Sequence, residues 1–520
     1  MTVLLWTLSL LFAAIILGAV ARRIKIPSPS LFALGGVLLA LWPHSPRFSI
    51  QPDLALALFV APILMSAGFE ASLRDLRENW VALVSLIFVA VSITTAGVAI
   101  VARWMVPSMP WAVAITLGAA VSPPDAAAAT AVLNEVRLPH RLLAVLEGES
   151  LLNDASALLI YRMAMGAALA QTHNPLAELS SLALVLIGSV ALGAVFAVLL
   201  GNLLNRFSHV PSSIALQFIG VLGMWILADK IELSGVLVTV VAAIVLSRRA
   251  ALVMPAAMRV SSRAVWDTAV FILNALAFVL VGLQLGPTLD RLGSGPHPRY
   301  FAFALATLAT VIVTRVGWTV FFNLVMSTAA RVLGPRLPRQ LAPPSMKRSI
   351  LAGWCGMRGI VTLGAVLALP NGSGGGPAFP YRDLVVLAAV TVVIGTLIIQ
   401  GFTLRPLVAM LGMVEDEHED DELANGRMAM LQAALHSLGS ADDGAAAYLR
   451  EEFSDLLGRA DGSRKSFWDE EAVLRRSART AARNALNELR RSGGIGEAAF
   501  QKLLAELDVI ELESEARSGW

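Results

Sequence analysis

Long apolar runs recur along this chain and restrict its fold more than any other feature. Runs near the roughly 20 residues that carry a helix across about 30 Å of hydrocarbon lie at 2–21, 28–43, 53–70, 79–102, 110–133, 140–170, 179–205, 212–229, 232–247, 265–286, 299–327, 348–369 and 383–409. With 56% hydrophobic and 15% charged residues, the chain has too few polar side chains to cover a water-soluble globule. The expected class is an all-α polytopic membrane protein of about 13 transmembrane helices over residues 1–411, with the lipid bilayer as its solvent. The first run, 2–21, lacks a basic leader and exceeds the length of a signal-sequence core, so it is expected to be the first spanning helix.

Charge gives the orientation. Odd-numbered connections hold 17 basic residues, among them Arg22, Arg23, Lys25, Arg248, Arg249, Arg259 and Arg263, whereas the even ones hold six. The excess of Lys and Arg on cytoplasmic loops places the amino terminus outside and the tail inside, across the cell membrane. Residues 412–520 form the second expected domain, an acidic and mostly helical cytoplasmic region. From residue 414 onward it has 23 Asp and Glu against 13 Lys and Arg. That balance argues against nucleic acid as a partner. Its acidic run from Met413 to Glu422 reads as a solvated linker, with amphipathic stretches at 423–438, 443–458, 467–491 and 495–515. A single cysteine, Cys355, excludes an internal disulfide framework. No loop resembles a nucleotide cradle, so no cofactor is expected.

Two runs contain helix breakers. The fifth holds Ser122, Pro123 and Pro124, and the twelfth holds Gly353, Gly356 and Gly359 in GWCGMRG. Broken helices at membrane depth leave backbone groups that lipid cannot satisfy, so they must face protein or water. One such segment in each half of the chain points to an inverted-repeat transporter with a midplane site. Acids gather at the first break: Asp125 follows the prolines, and Glu147, Glu149, Ser150, Asn153 and Asp154 crowd the start of the sixth run. An ionised group near the centre of a membrane helix costs roughly 2.5–3.5 kcal/mol on insertion scales, so the cluster points to function.

Hard monovalent cations prefer carboxylate, hydroxyl and carbonyl oxygens. Asp125, Ser150 and Asp154, with carbonyls freed near Pro123 and Pro124, supply that set for Na+. In a helix Glu149 lies over Asn153, and Ser150 over Asp154. A buried carboxylate near a second one binds protons more readily, so proton and cation can compete for Asp154. The alternative is that the aspartates are paired with arginines for structure. The intramembrane bases Arg315 and Arg358 also need partners. The expected pairs are Glu149 with Arg315 and Glu70 with Arg358. Arg162 and Asp267 are assigned no role, and Glu147 is expected toward the cytoplasmic mouth.

These residues resemble the sodium/proton antiporters of the NhaP and NHE kind over residues 1 to about 410. EGESLLNDASALL (147–159) carries most of the likeness, and SPPDAAAATAVL, GMRGIVTLGAVLALP and TVVIGTLIIQGFTLRPL follow the family's order. The resemblance implies a homodimer interface domain and a core in which the unwound fifth and twelfth helices cross. It also implies an ion site at Asp125, Asp154, Ser150, Glu149 and the Pro124 backbone carbonyl. The Asn153–Asp154 pair marks members thought electroneutral. One departure is Pro124, where the family carries threonine, a change that bears on selectivity among sodium, potassium and lithium.

The expected function is therefore secondary antiport of cytoplasmic Na+ (or Li+) for external H+, by alternating access. The first alternative is K+ on the same fold. A cation channel and a membrane-embedded aspartyl hydrolase are further from the motifs; no Tyr-Asp with Gly-x-Gly-Asp is present.

Overall fold

The computed structural model describes residues 2–24, 26–42, 54, 56–125, 140–169, 175–207, 209–254, 256–291, 298–333, 345–371, 378–412, 418–437 and 444–460, with isolated positions at 482–488. The chain forms two units, Met1–Glu415 and Asp416–Trp520.

The first unit is built of helices, with no strand among the described residues. In chain order they are α1 (Thr2–Ile24), α2 (Ser28–Ala40), α3 (Leu56–Glu70), α4 (Leu73–Glu78), α5 (Trp80–Met105) and α6 (Trp111–Val121). Then come α7 (His140–Leu169), α8 (Pro175–Leu204), α9 (Val210–Lys230), α10 (Gly235–Val253), α11 (Ala256–Leu283) and α12 (Leu285–Arg291). Last are α13 (Pro298–Leu333), α14 (Met346–Trp354), α15 (Ile360–Leu367) and α16 (Arg382–Leu411). Each of the 13 apolar runs contains a helix. Among the described residues six segments are able by length and composition to cross a bilayer, in α5, α8, α9, α11–α12, α13 and α16, while α2, α3 and α6 are shorter apolar helices.

Outward side chains identify the solvent. Leu5, Leu8, Phe12, Ile15 and Ile16 of α1 and Leu184, Ile187, Val195 and Leu199 of α8 are exposed. In water they would form apolar patches far larger than a soluble monomer displays; in hydrocarbon they are at home. Burial separates inner from outer helices. The apolar window of α16 is 78% buried and that of α8 only 28%, so α16 runs through the interior while α8 faces lipid.

Packing relies on small residues, as expected where no hydrophobic effect drives helices together. A Cβ on Gly36 would strike the Val279 carbonyl, and one on Gly282 the Ala33 carbonyl, so α2 and α11 approach backbone to backbone. On the other side of the unit, α13 packs on α5, α14 and α16, and α7 packs on α6 and α14. A π-helical stretch, Ser85–Ala90, interrupts α5. Its Ile87 carbonyl accepts a 2.8 Å hydrogen bond from Ser156 Oγ, which fixes α7 against α5.

In the second unit, α17 (His418–Ser437) packs on α18 (Gly444–Ala460), burying Leu431. The acidic run was expected to be wholly linker, yet α17 begins within it at His418, because acids in a first turn favour the positive end of the helix dipole. Residues 413–417 and the stretches expected at 467–491 and 495–515 lie outside the described residues, apart from isolated helical positions.

Candidate functional site

Both breaks are local consequences of sequence. Helix α6 stops at Val121, where Ser122 Oγ turns back to the Ala119 carbonyl at 3.0 Å. Pro123 and Pro124 follow, and neither has an N–H to continue the ladder. The remainder of the fifth run, residues 126–139, lies outside the described residues. The twelfth run divides into α14 and α15, with Cys355–Gly359 non-helical between them.

The two breaks touch. Asp125 N–H donates to the Met357 carbonyl at 2.7 Å. The Asp125 carboxylate lies against the Gly359 α-carbon so closely that a Cβ there would overlap Asp125 Oδ2. Glycine at 359 is thus needed for clearance. Gly356 does the same for the aliphatic stem of Arg315, whose Cδ and Nε occupy the place a Cβ would take.

Helix α7 brings the remaining groups. Asn153 Nδ2 and Ser150 Oγ donate to the Pro124 carbonyl at 3.2 and 3.4 Å. That carbonyl is therefore held by two side chains, and since a carbonyl oxygen has two lone pairs, a cation reaching it displaces or shares one of them. Asp154, one turn beyond Ser150 on the same face, is 6% exposed and within electrostatic reach of Asp125 and Arg358. Asp125 is half-buried. Glu149 and Arg315 are 1% and 3% exposed and form a bidentate pair at 2.6 and 2.8 Å.

Glu70 and Arg358 do not pair. Glu70 is exposed at the end of α3 and sits 3.6 Å from Arg263. Arg358 is fully buried in the twelfth-run break, and its electrostatic neighbours are Arg315, Glu149 and Asp154. The physical reason is depth: Glu70 closes its helix at the edge, beside the basic end of α11, whereas the break draws Arg358 inward. The Arg358 amide is fixed by donating to Thr396 Oγ1 of α16 at 3.0 Å, while all three guanidinium nitrogens lack a hydrogen-bond partner among the described residues.

Thr396, Tyr161 and Ser156 escaped sequence reasoning. Tyr161 of α7 donates to the Ala365 carbonyl of α15 at 2.6 Å, tying the two site helices together. Thr396 carried a signal, as one of few polar residues in the run 383–409. Glu147 and Asp267 line a separate cavity of about 1070 Å³ shared with Glu70, Arg249, Arg263 and Gln217. Asp125, Ser150 and Asp154 are not among the residues lining it. Arg162 is exposed. No group of three His, Cys, Asp or Glu able to hold a metal ion occurs among the described residues. The oxygens at hand are instead two carboxylates, a hydroxyl and a carbonyl.

A helical membrane unit in which a helix end at Pro123–Pro124 meets an interrupted helix beside the carboxylates Asp125 and Asp154 fits a secondary transporter of small ions. The chain belongs to the sodium/hydrogen exchanger transmembrane family, which matches residues 8–410. It is 31% identical over 525 residues to the uncharacterized Na(+)/H(+) exchanger Rv2287 of Mycobacterium tuberculosis, covering 97% of this chain and 95% of that one. It is 27% identical to the uncharacterized Na(+)/H(+) exchanger YjcE of Escherichia coli, covering 97% and 98%. Among solved structures, the sodium proton antiporter MjNhaP1 from Methanocaldococcus jannaschii superposes with a TM-score of 0.60 at 16% identity, over 79% of this chain and 99% of that one. That likeness speaks to fold.

Proposed function

We propose that the protein exchanges cytoplasmic Na+ for external H+ one for one, with Asp154 carrying either the proton or, together with Asp125 and Ser150, the cation. Family membership supports sodium/proton antiport, and the two relatives named as Na(+)/H(+) exchangers favour sodium over potassium. The observation that carries the site assignment is the contact between the two breaks, Asp125 N–H to Met357 O, which brings Asp125 into reach of buried Asp154. A carrier that changes the exposed side only when this site is occupied couples each outward sodium to an inward proton.

In this reading residues 1–411 cross the cell membrane thirteen times, with the tail, residues 412–520, in the cytoplasm. The cavity at Glu70, Glu147 and Arg263 then opens on the cytoplasmic side, because its arginines belong to the basic connections. Two copies form a homodimer in the manner implied by the resemblance. The Glu149–Arg315 pair is the rigid strut between α7 and α13.

The test is reconstitution. Proteoliposomes with an imposed pH gradient should move protons on addition of NaCl, and Asp154→Ala should abolish the movement. Wild-type vesicles without sodium-dependent proton movement, or an undiminished Asp154→Ala protein, would remove the reading.

A further inference from the structure

Arg358 is the charged side chain of the site that its described neighbours leave without a hydrogen bond. Its side chain is 0% exposed, and Nε, Nη1 and Nη2 make no hydrogen bond. A buried guanidinium without a partner is costly, and Glu149 is already engaged on both oxygens by Arg315. Yet Arg358 lies at the ion site. Its two chain neighbours, Met357 and Gly359, both touch Asp125, and its charge acts on Asp154.

The charged groups around it among the described residues come from three places. Helix α13 supplies Arg315, α7 supplies Glu149 and Asp154, and the break after α6 supplies Asp125. Helix α16 carries no charged residue between 384 and 404, and its Thr396 meets the Arg358 amide. Glu147, half-buried, lines the separate cavity, which none of Asp125, Ser150 and Asp154 lines. Among the described residues these three carboxylates and two guanidinium groups carry a single net negative charge.

One monovalent cation or one proton brings that cluster to neutrality, which is what burial in a low-dielectric interior favours. A divalent cation would leave it positive, with the uncompensated charge beside Arg358. We propose that Arg358 is a selectivity-determining residue, a fixed internal cation that limits the site to one monovalent ion and excludes divalent ones. This rests on the exchange reading above. The site otherwise has oxygens that calcium accepts, carboxylates, a hydroxyl and a carbonyl, with water completing the shell.

The test is cation binding to the purified full chain in detergent, by titration calorimetry with NaCl and with CaCl2, for wild type, Arg358→Gln and Arg358→Lys. Wild type and Arg358→Lys should bind sodium and ignore calcium. Arg358→Gln should bind sodium at least about tenfold more tightly, the effect of removing one unit charge within about 10 Å at an effective dielectric of about 20, and calcium should compete. A residue that only supports the fold would weaken sodium binding when replaced, so the sign of the change separates the two roles. A folded Arg358→Gln protein with unchanged or weaker sodium binding and no response to calcium overturns the inference. If that variant does not fold, Asn153→Asp adds one negative charge from α7 with Arg358 intact and should also admit calcium; a folded Asn153→Asp protein indifferent to calcium overturns the charge count. Parallel proteoliposome assays keep the two readings apart. A wild type that fails to exchange sodium for protons sinks both, whereas one that exchanges beside an unresponsive Arg358→Gln sinks the selectivity role alone.

Discussion

Replacing Arg315 by methionine should destabilise the membrane unit by about 3–5 kcal/mol, the cost of stranding one partner of a buried pair. The geometry gives an independent figure. Contacts of 2.6 and 2.8 Å between side chains that are 3% and 1% exposed put the charge centres about 4 Å apart, where the Coulomb attraction at an effective dielectric of 20 is about 4 kcal/mol. The two routes agree, so stranding either partner costs a large fraction of the net stability of a typical domain. Glu149→Met should cost a similar amount by stranding the guanidinium. The double variant removes both charges and restores an apolar contact, a replacement that is often close to neutral. It should therefore lie nearer wild type than either single change. The assay is a double-mutant cycle of unfolding in mixed micelles. Additive losses, or single variants within about 0.5 kcal/mol of wild type, would refute the strut.

Gly359→Ala should abolish sodium-dependent proton movement while the protein still purifies as a folded species, because its Cβ overlaps the Asp125 carboxylate; vesicle transport and circular dichroism together check this. Gly356→Ala should instead lower stability, since it displaces the stem of Arg315 and so loosens the Glu149 pair, and thermal unfolding midpoints read the difference. Tyr161→Phe removes a 2.6 Å bond to the Ala365 carbonyl and should cost about 1–3 kcal/mol, the penalty for an unsatisfied buried acceptor, with the apparent sodium affinity unchanged.

Much of this arrangement is legible in the sequence because membranes impose simple rules. Apolar runs of helical length mark the helices, and Pro123–Pro124 and the GWCGMRG glycines mark the breaks, since lipid cannot satisfy the backbone groups that such residues free. The spacing of Glu149, Ser150, Asn153 and Asp154 fixes which of them share a face. What the sequence does not carry is depth and direction. Glu70 and Arg358 are an acid and a base within apolar runs, and sign alone suggests a pair. One ends a helix at an exposed edge beside Arg263, and the other is turned inward by the break it occupies. Nor does spacing reveal that Ser150 and Asn153 converge on the Pro124 carbonyl, or that Thr396, 38 residues beyond Arg358, fixes its amide. Such contacts depend on how non-adjacent helices dock, which no local pattern encodes. The acidic start of α17 is a milder case: charge suggested a linker, and the helix dipole favours those acids where they are.

Exchange by this site requires that proton and sodium compete for the same buried carboxylate. The direct measurement is the apparent sodium affinity of the purified protein as a function of pH. Competition at Asp154 predicts that in the acidic limb sodium binding weakens about tenfold for each pH unit, with close to one proton released per sodium bound, and that Asp154→Asn loses sodium binding at every pH. A sodium affinity that stays constant across that range, or an Asp154→Asn protein that binds sodium like wild type, would contradict it.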